Sequence, residues 1–137
     1  MEKRSFTIII DSLKRISGNT NDCVIKINCP QSFNKLFIEV LLFSITYPTV
    51  QLPTASYIKL TSDLIIYDQY SNNNQNNVIS IYDNRNFRYS RNGFYSDNIN
   101  NKEIHFRLVD ENDNLLLNAN ATNFNLPWII ILKCTEI

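Results

Sequence analysis

Apolar and polar residues alternate along much of this chain, most clearly between residues 102 and 134. One side of the first strand in this segment carries Ile104, Phe106 and Leu108, and its other side carries charged or polar residues. A period of two residues places one face in a core and the other in water or against a partner. The turn Asp110–Asn114 follows, built from residues that bond their own backbone and tolerate unusual dihedral angles. A short apolar run, a polar loop and a closing apolar strand complete the segment.

The rest of the chain predicts more short strands separated by turns. The predicted strands are Ser5–Ile10, Asp22–Asn28, Asn34–Tyr47, Ser56–Thr61, Leu64–Tyr67 and Val78–Tyr82. Ser56–Thr61 and Leu64–Tyr67 are expected to form a hairpin or a bent pair, and Asn92-Gly93 predicts a hairpin within Asn86–Asp97. No long helical periodicity competes, so we predict an all-β, single jelly-roll sandwich of about eight antiparallel strands, with no helix longer than about two turns.

One predicted strand, Leu36–Tyr47, is apolar on both of its sides. Such a strand is expected to be central and buried on both faces, either between packed layers or between a sheet and a neighbouring subunit. An aspartate at Val40 is therefore expected to abolish folding, because an unpaired buried carboxylate costs several kcal/mol.

Composition and charge narrow the class of protein. The 137 residues fit one domain, 1–137, and 21 asparagines supply much of the polar surface. Lys plus Arg equals Asp plus Glu at 13 each, so no overall field recruits nucleic acid or anionic lipid. The longest apolar stretches fall short of the ~20 residues that span a bilayer. The apolar stretch that follows the charged residues 2–4 is too short for the apolar region of a secretory signal, so synthesis is expected in a cytosol.

Little in the sequence supports catalysis or cofactor binding. His105 is the single histidine, and with two glycines in the chain a glycine-rich phosphate loop is not expected. The acidic turn at 110–113 lacks EF-hand spacing and is expected to be solvated. Cys23 and Cys29 would lie about 20 Å apart in a straight strand, so free, buried thiols are expected rather than a disulfide. We predict no enzyme activity, no cofactor and no metal.

One segment, 82–95, interleaves arginines with aromatic residues in the manner of a protein interface. The candidate interface residues are Arg85, Phe87, Arg88, Tyr89, Arg91, Phe94 and Tyr95. Two other interpretations stay open. The segment could be a hairpin whose aromatic side chains enter the core, or, less favoured at zero net charge, a surface for single-stranded nucleic acid.

The two ends of the chain resemble a viral family. The opening SFTIIIDSLKR, DCVIKIN and FIEVLLFSITYP, and the ending IHFRLVDENDN with WIIILK, are similar to single jelly-roll minor capsid and penton proteins of large DNA viruses, virophages and polinton-like viruses. The similarity covers residues 5–49 and 103–135. It implies a non-enzymatic structural subunit of an icosahedral capsid, made in the host cytoplasm and present in the virion. The implied partners are copies of itself and other capsid proteins, with no catalytic residue carried over.

A ligand-binding β-sandwich, of the carbohydrate-binding type, is the alternative. Exposed tyrosines could form a platform for a sugar ring. The candidates are Tyr67, Tyr70, Tyr82, Tyr89 and Tyr95. The two hypotheses differ in what the protein associates with, other protein subunits or an oligosaccharide.

Overall fold

The structure, a computed structural model, describes residues 3–30, 33–45, 57–65, 78–82, 88–90, 93–116 and 127–137. Within those ranges ten strands form, joined in two places by single 3₁₀ turns at Ser12–Lys14 and Asp63–Ile65. The strands are β1 (Ser5–Asp11), β2 (Ser17–Asn19), β3 (Asp22–Ile27), β4 (Lys35–Ile45), β5 (Ile58–Ser62), β6 (Val78–Tyr82), β7 (Arg88–Ser90), β8 (Phe94–Asp97), β9 (Lys102–Val109) and β10 (Trp128–Glu136). The all-β prediction is confirmed.

These strands form two antiparallel sheets with jelly-roll topology. One sheet has the order β1-β10-β4-β8, and the other has the order β2-β3-β9-β5-β6-β7. Apart from the short edge strands β2 and β7, eight strands remain, and they pair from the outside of the sequence inward. Strand β1 pairs with β10, β3 with β9, β4 with β8 and β5 with β6. This is one long antiparallel ribbon wrapped into two sheets, which is the predicted single jelly roll.

The core lies between the sheets and is closed by the Trp128 side chain. Its ring centroid lies 6.5 Å from Phe43 of the four-stranded sheet and 5.4 Å from Phe106 of the six-stranded sheet. The indole Nε1 donates a 2.6 Å hydrogen bond to the carbonyl oxygen of Thr20, so the polar edge of the buried ring is satisfied. The backbone N–H of Trp128 donates to the hydroxyl of buried Ser12. Trp128 therefore links both sheets through its ring to the turn between β2 and β3, and through its backbone to the 3₁₀ turn after β1.

A β-bulge in β4 explains why this strand is apolar on both sides. Val40 lies opposite Leu132, and Leu42 lies opposite Ile131, so Leu41 has no partner on β10. The extra residue reverses the alternation: Leu36 and Ile38 point into the core before the bulge, and Phe43 and Ile45 do so after it. The predicted central position of the strand is confirmed. Its predicted burial on both faces is wrong for this chain alone, since Leu41 and Leu42 are exposed and Val40 is only partly buried.

Two predicted hairpins are also wrong. The strands that flank Asn92-Gly93 belong to different sheets, because β7 pairs with β6 and β8 pairs with β4. Of the predicted strand Leu64–Tyr67, Leu64 and Ile65 belong to the 3₁₀ turn Asp63–Ile65, and residues 66 and 67 lie outside the described residues. Strand β5 pairs instead with β6 and β9. A short-range turn signal cannot tell a connection within one sheet from a crossing between two sheets.

The three thiols are free, as predicted, and differ in burial. Cys23 and Cys134 are buried, whereas Cys29 is partly exposed. Burial raises the pKa of Cys23 to about 11 and that of Cys134 to about 12, and it also raises the pKa of Cys29.

We therefore expect iodoacetamide at pH 8 to modify Cys29 first and to leave Cys23 and Cys134 unmodified while the protein is folded. Only the thiolate reacts, and a pKa near 11 or 12 leaves about one thiolate in a thousand or fewer at that pH. Peptide mass spectrometry of the labelled protein measures the order, with a urea-unfolded sample as control. Labelling of Cys134 as fast as in urea would contradict the described burial.

Candidate assembly surface

The outer face of the four-stranded sheet carries a row of apolar side chains. Ile9 of β1 lies opposite Ile131 of β10, which in turn lies opposite Leu42 of β4. Ile129 lies on the same side of β10, two residues before Ile131, and the bulge adds Leu41. Their neighbours Ile8, Ile10, Ile130 and Leu132 are buried in the core. We call the surface formed by Ile9, Leu41, Leu42, Ile129 and Ile131 the apolar face.

The apolar face is exposed in the single chain. Ile9 is 63% exposed, Leu41 56% and Leu42 37%. Among the described residues, seven large apolar side chains are exposed, and three of them are these residues, while a fourth, Tyr95, lies on the same side of the sheet against Phe37. Scattered apolar residues are ordinary at protein surfaces, whereas their alignment makes this face a candidate association site.

Two opposite charges border this row. Lys133 of β10 lies directly opposite Glu39 of β4, one pair of residues further along the strands. Lys133 is exposed and Glu39 is partly exposed. The apolar face is therefore bordered by Lys133 and Glu39 on one side and by Asp11, which lies opposite Ile129, on the other.

The outer face of the six-stranded sheet is more polar along β3 and β9, where successive charged residues lie opposite each other. Lys26 of β3 lies opposite Glu103 of β9, and Asp22 lies opposite Arg107. Asp22 also contacts the imidazole of His105, and its other carboxylate oxygen lies 3.8 Å from Nε of Arg107. His105 thus belongs to a polar strand face, as expected from its neighbours in the sequence. The two outer faces of the sandwich differ in polarity.

The acidic turn after β9 has a structural role that the sequence did not reveal. Asp110 Oδ1 accepts hydrogen bonds of 2.9 Å from the backbone N–H groups of Asn112 and Asn114, and Asp113 has a φ of +65°. The predicted self-bonded turn is confirmed. The Asp113 carboxylate, however, forms an ion pair with Lys59 of β5, whose side chain is almost completely buried. This acid is therefore not simply solvated.

The residues of the predicted interface are only partly described. Arg85, Phe87 and Arg91 lie outside the described residues, and of Arg88 and Tyr89 the structure gives the backbone, in edge strand β7. Phe94 and Tyr95 both lie in β8, the edge strand of the four-stranded sheet, where Phe94 is buried in the core and Tyr95 is exposed. The segment thus does not form one hairpin, and its role in an interface stays a prediction. The apolar face was missed as a site, although the doubly apolar strand Leu36–Tyr47 was its signal.

The tyrosines of the alternative hypothesis do not come together in the described part of the chain. Tyr82 packs against the core from the six-stranded sheet, whereas Tyr95 lies on the outside of the four-stranded sheet. Tyr67 and Tyr70 lie outside the described residues, as does the side chain of Tyr89. No observation therefore favours a sugar platform.

Across the described ranges, no group of three or more His, Cys, Asp or Glu side chains is placed to hold a metal ion. In the same part of the chain, no helix has the length and apolar character needed to cross a membrane. Neither the models of known protein families nor the sequences of curated proteins match this chain.

Proposed function

We propose that this protein is a non-enzymatic structural subunit of an icosahedral DNA virus, a minor capsid or penton protein that acts by assembling with other protein subunits. The observation that carries the proposal is the apolar face, where Ile9, Leu41 and Leu42 are exposed on the same side of the four-stranded sheet. Covering these side chains removes apolar surface from water, which stabilises an assembly by ~25 cal/mol for each Å² buried.

The fold is compatible with this role but does not decide it. Jelly rolls occur in viral capsid proteins, in lectins and in cupins, so function has to be argued from the surface. The resemblance of residues 5–49 and 103–135 to small capsid proteins supports the capsid role over that of a lectin or a cupin. An apolar outer sheet face supports binding to protein rather than to a sugar, which is usually held by polar groups and single aromatic rings.

The decisive measurement is the protein content of purified particles of the virus that encodes this chain. We expect the chain in a fixed ratio to the major capsid protein, retained after washes with high salt, because apolar contacts are not screened by salt. A chain that is absent from such particles, or that salt removes completely, contradicts the proposal.

A substitution on the apolar face tests the surface itself. Leu42→Asp is expected to leave the chain folded, because this side chain is already 37% exposed, and to prevent incorporation into particles, because a carboxylate would be buried without a partner. Ile16→Asp is the matched control, since Ile16 is 52% exposed but lies beside β3, at the other sheet. Equal incorporation of both variants would exclude the apolar face as the assembly surface.

A further inference from the structure

We infer that the apolar face is covered by the same face of a second copy of this chain, related by a two-fold axis that runs along the strands between β10 and β4. The inference rests on the proposed function, since it names the partner at the surface proposed above. Its basis is the arrangement of Lys133, Glu39 and the apolar row on these two central strands.

A two-fold axis in this position makes the surface complementary to itself. Rotation by a half turn about a line along the strands keeps each row at its height and exchanges β10 with β4. Lys133 then lies over the partner's Glu39, and Ile131 lies over the partner's Leu42. The symmetry repeats each of these contacts, as in any isologous interface. Sheets that pack face to face cross at about 30°, so residues on β10 and β4, the two strands next to the axis, stay opposite their partners.

The opposite outer face is a poor alternative cover. A head-to-tail ring that places the four-stranded sheet of one copy on the six-stranded sheet of the next would bring Ile9 and Leu41 against Asp22, Lys26 and Glu103. Charged groups that lose water without gaining partners oppose such a contact. The polarity of the two faces therefore favours pairing of like faces over a ring built from unlike ones.

The size of the face sets the expected affinity. Four strands about 4.8 Å apart and seven residues of about 3.3 Å each cover roughly 400 Å² of flat surface, against the roughly 800 Å² of accessible surface that each partner contributes to a standard interface. We expect the isolated pair to be weak, with a Kd between about 10 µM and a few hundred µM. A subunit held by several weak contacts in a shell needs no tighter pair.

Charge reversal tests the inference, and sedimentation equilibrium up to ~1 mM measures it. In the Glu39→Lys dimer, lysines at positions 39 and 133 of one copy face lysines at positions 133 and 39 of the other. In the Lys133→Glu dimer, glutamates face each other at the same positions. Each variant alone should dimerise at least about tenfold more weakly than the wild type, because like charges oppose each other twice. An equimolar mixture of the two variants should recover a 1:1 heterodimer with a Kd within about threefold of the wild type.

The mixture separates contacts between chains from contacts within one. Residues 39 and 133 are also neighbours inside each chain, but mixing leaves those internal contacts unchanged, so recovery has to come from the partner. Lys26→Glu and Glu103→Lys are the matched controls, because they reverse an equivalent cross-strand pair on the opposite sheet. These controls should dimerise like the wild type, alone and mixed.

The outcomes distinguish this inference from the proposed function. A wild-type chain that stays monomeric at ~1 mM, or a mixture no stronger than its components, overturns the two-fold pair. If Leu42→Asp is nevertheless excluded from particles, a different capsid protein covers the face, and the proposed function stands without the inference. If the mixture recovers the dimer while purified particles lack the chain, the pair stands and the capsid role falls.

Discussion

Ile38→Asp is expected to unfold the protein. Ile38 lies in the centre of the four-stranded sheet with 0% of its surface exposed, and it points between the two sheets. The substitution removes a buried branched side chain, at about 2–5 kcal/mol, and adds an unpaired carboxylate, at several kcal/mol more. Their sum is comparable with the 5–15 kcal/mol that stabilises an ordinary domain. Circular dichroism with thermal melting should show no cooperative transition.

Leu42→Asp on the same strand is the control for this substitution. It places the same carboxylate four residues further along, on the other side of the bulge, where water reaches it. We expect a cooperative melt within about 1 kcal/mol of the wild type, as for other surface substitutions. A cooperatively folded Ile38→Asp variant would mean that the inner face of β4 is not the face that the register indicates.

The second large effect is expected at the ion pair between Lys59 and Asp113. The Lys59 side chain is 2% exposed, and that of Asp113 is 51% exposed. Asp113→Asn keeps a residue that tolerates the φ of +65° but leaves the buried ammonium without its anion. Loss of one partner of a buried pair costs ~3–5 kcal/mol, and because water reaches Asp113 we expect a smaller cost, about 2–3 kcal/mol.

A double substitution isolates the charge as the cause. Lys59→Met keeps most of the side-chain volume without the ammonium, so Asp113→Asn should cost much less in a Lys59→Met background than in the wild type. Urea denaturation of the four proteins gives the free energies of unfolding that such a cycle compares. Equal costs in both backgrounds would show that the pair contributes nothing and that the turn itself is the sensitive element.

Local pattern was sufficient to predict most of the strands of the fold. The alternation in Lys102–Val109 and in Asp22–Ile27 reports one buried face directly, and the turn after β9 follows from asparagine and aspartate chemistry. Pairing between distant strands is not a local property. For this reason Asn92-Gly93 predicts a hairpin although β7 and β8 belong to different sheets. Likewise, the ion pair of Lys59, made to a residue 54 positions away, leaves no signal in its own strand.

The apolar face has a signal in the sequence that indicates its strand but not which side chains face outward. The doubly apolar strand Leu36–Tyr47 indicated contact with a neighbouring subunit as one of two explanations. The side chains of β4 that face outward can be identified only when the position of the bulge at Leu41 is known. That position follows from the register with the partner strand β10 and not from β4 alone. The segment 82–95 is a candidate interface by composition alone, and composition reports the kinds of side chain present and not the sheet to which each belongs.

The bulge also makes the outside of β4 adjustable independently of the inside. Without Leu41, plain alternation along the shortened strand would still turn Leu36, Ile38, Val40, Phe43 and Ile45 inward and leave Leu42 outside. Leu41 is thus a one-residue insertion that adds an apolar side chain to the surface and subtracts nothing from the core. Gain or loss of a single codon at this position would change the apolar area on the outside of the sheet while the pairing of the eight main strands stays the same.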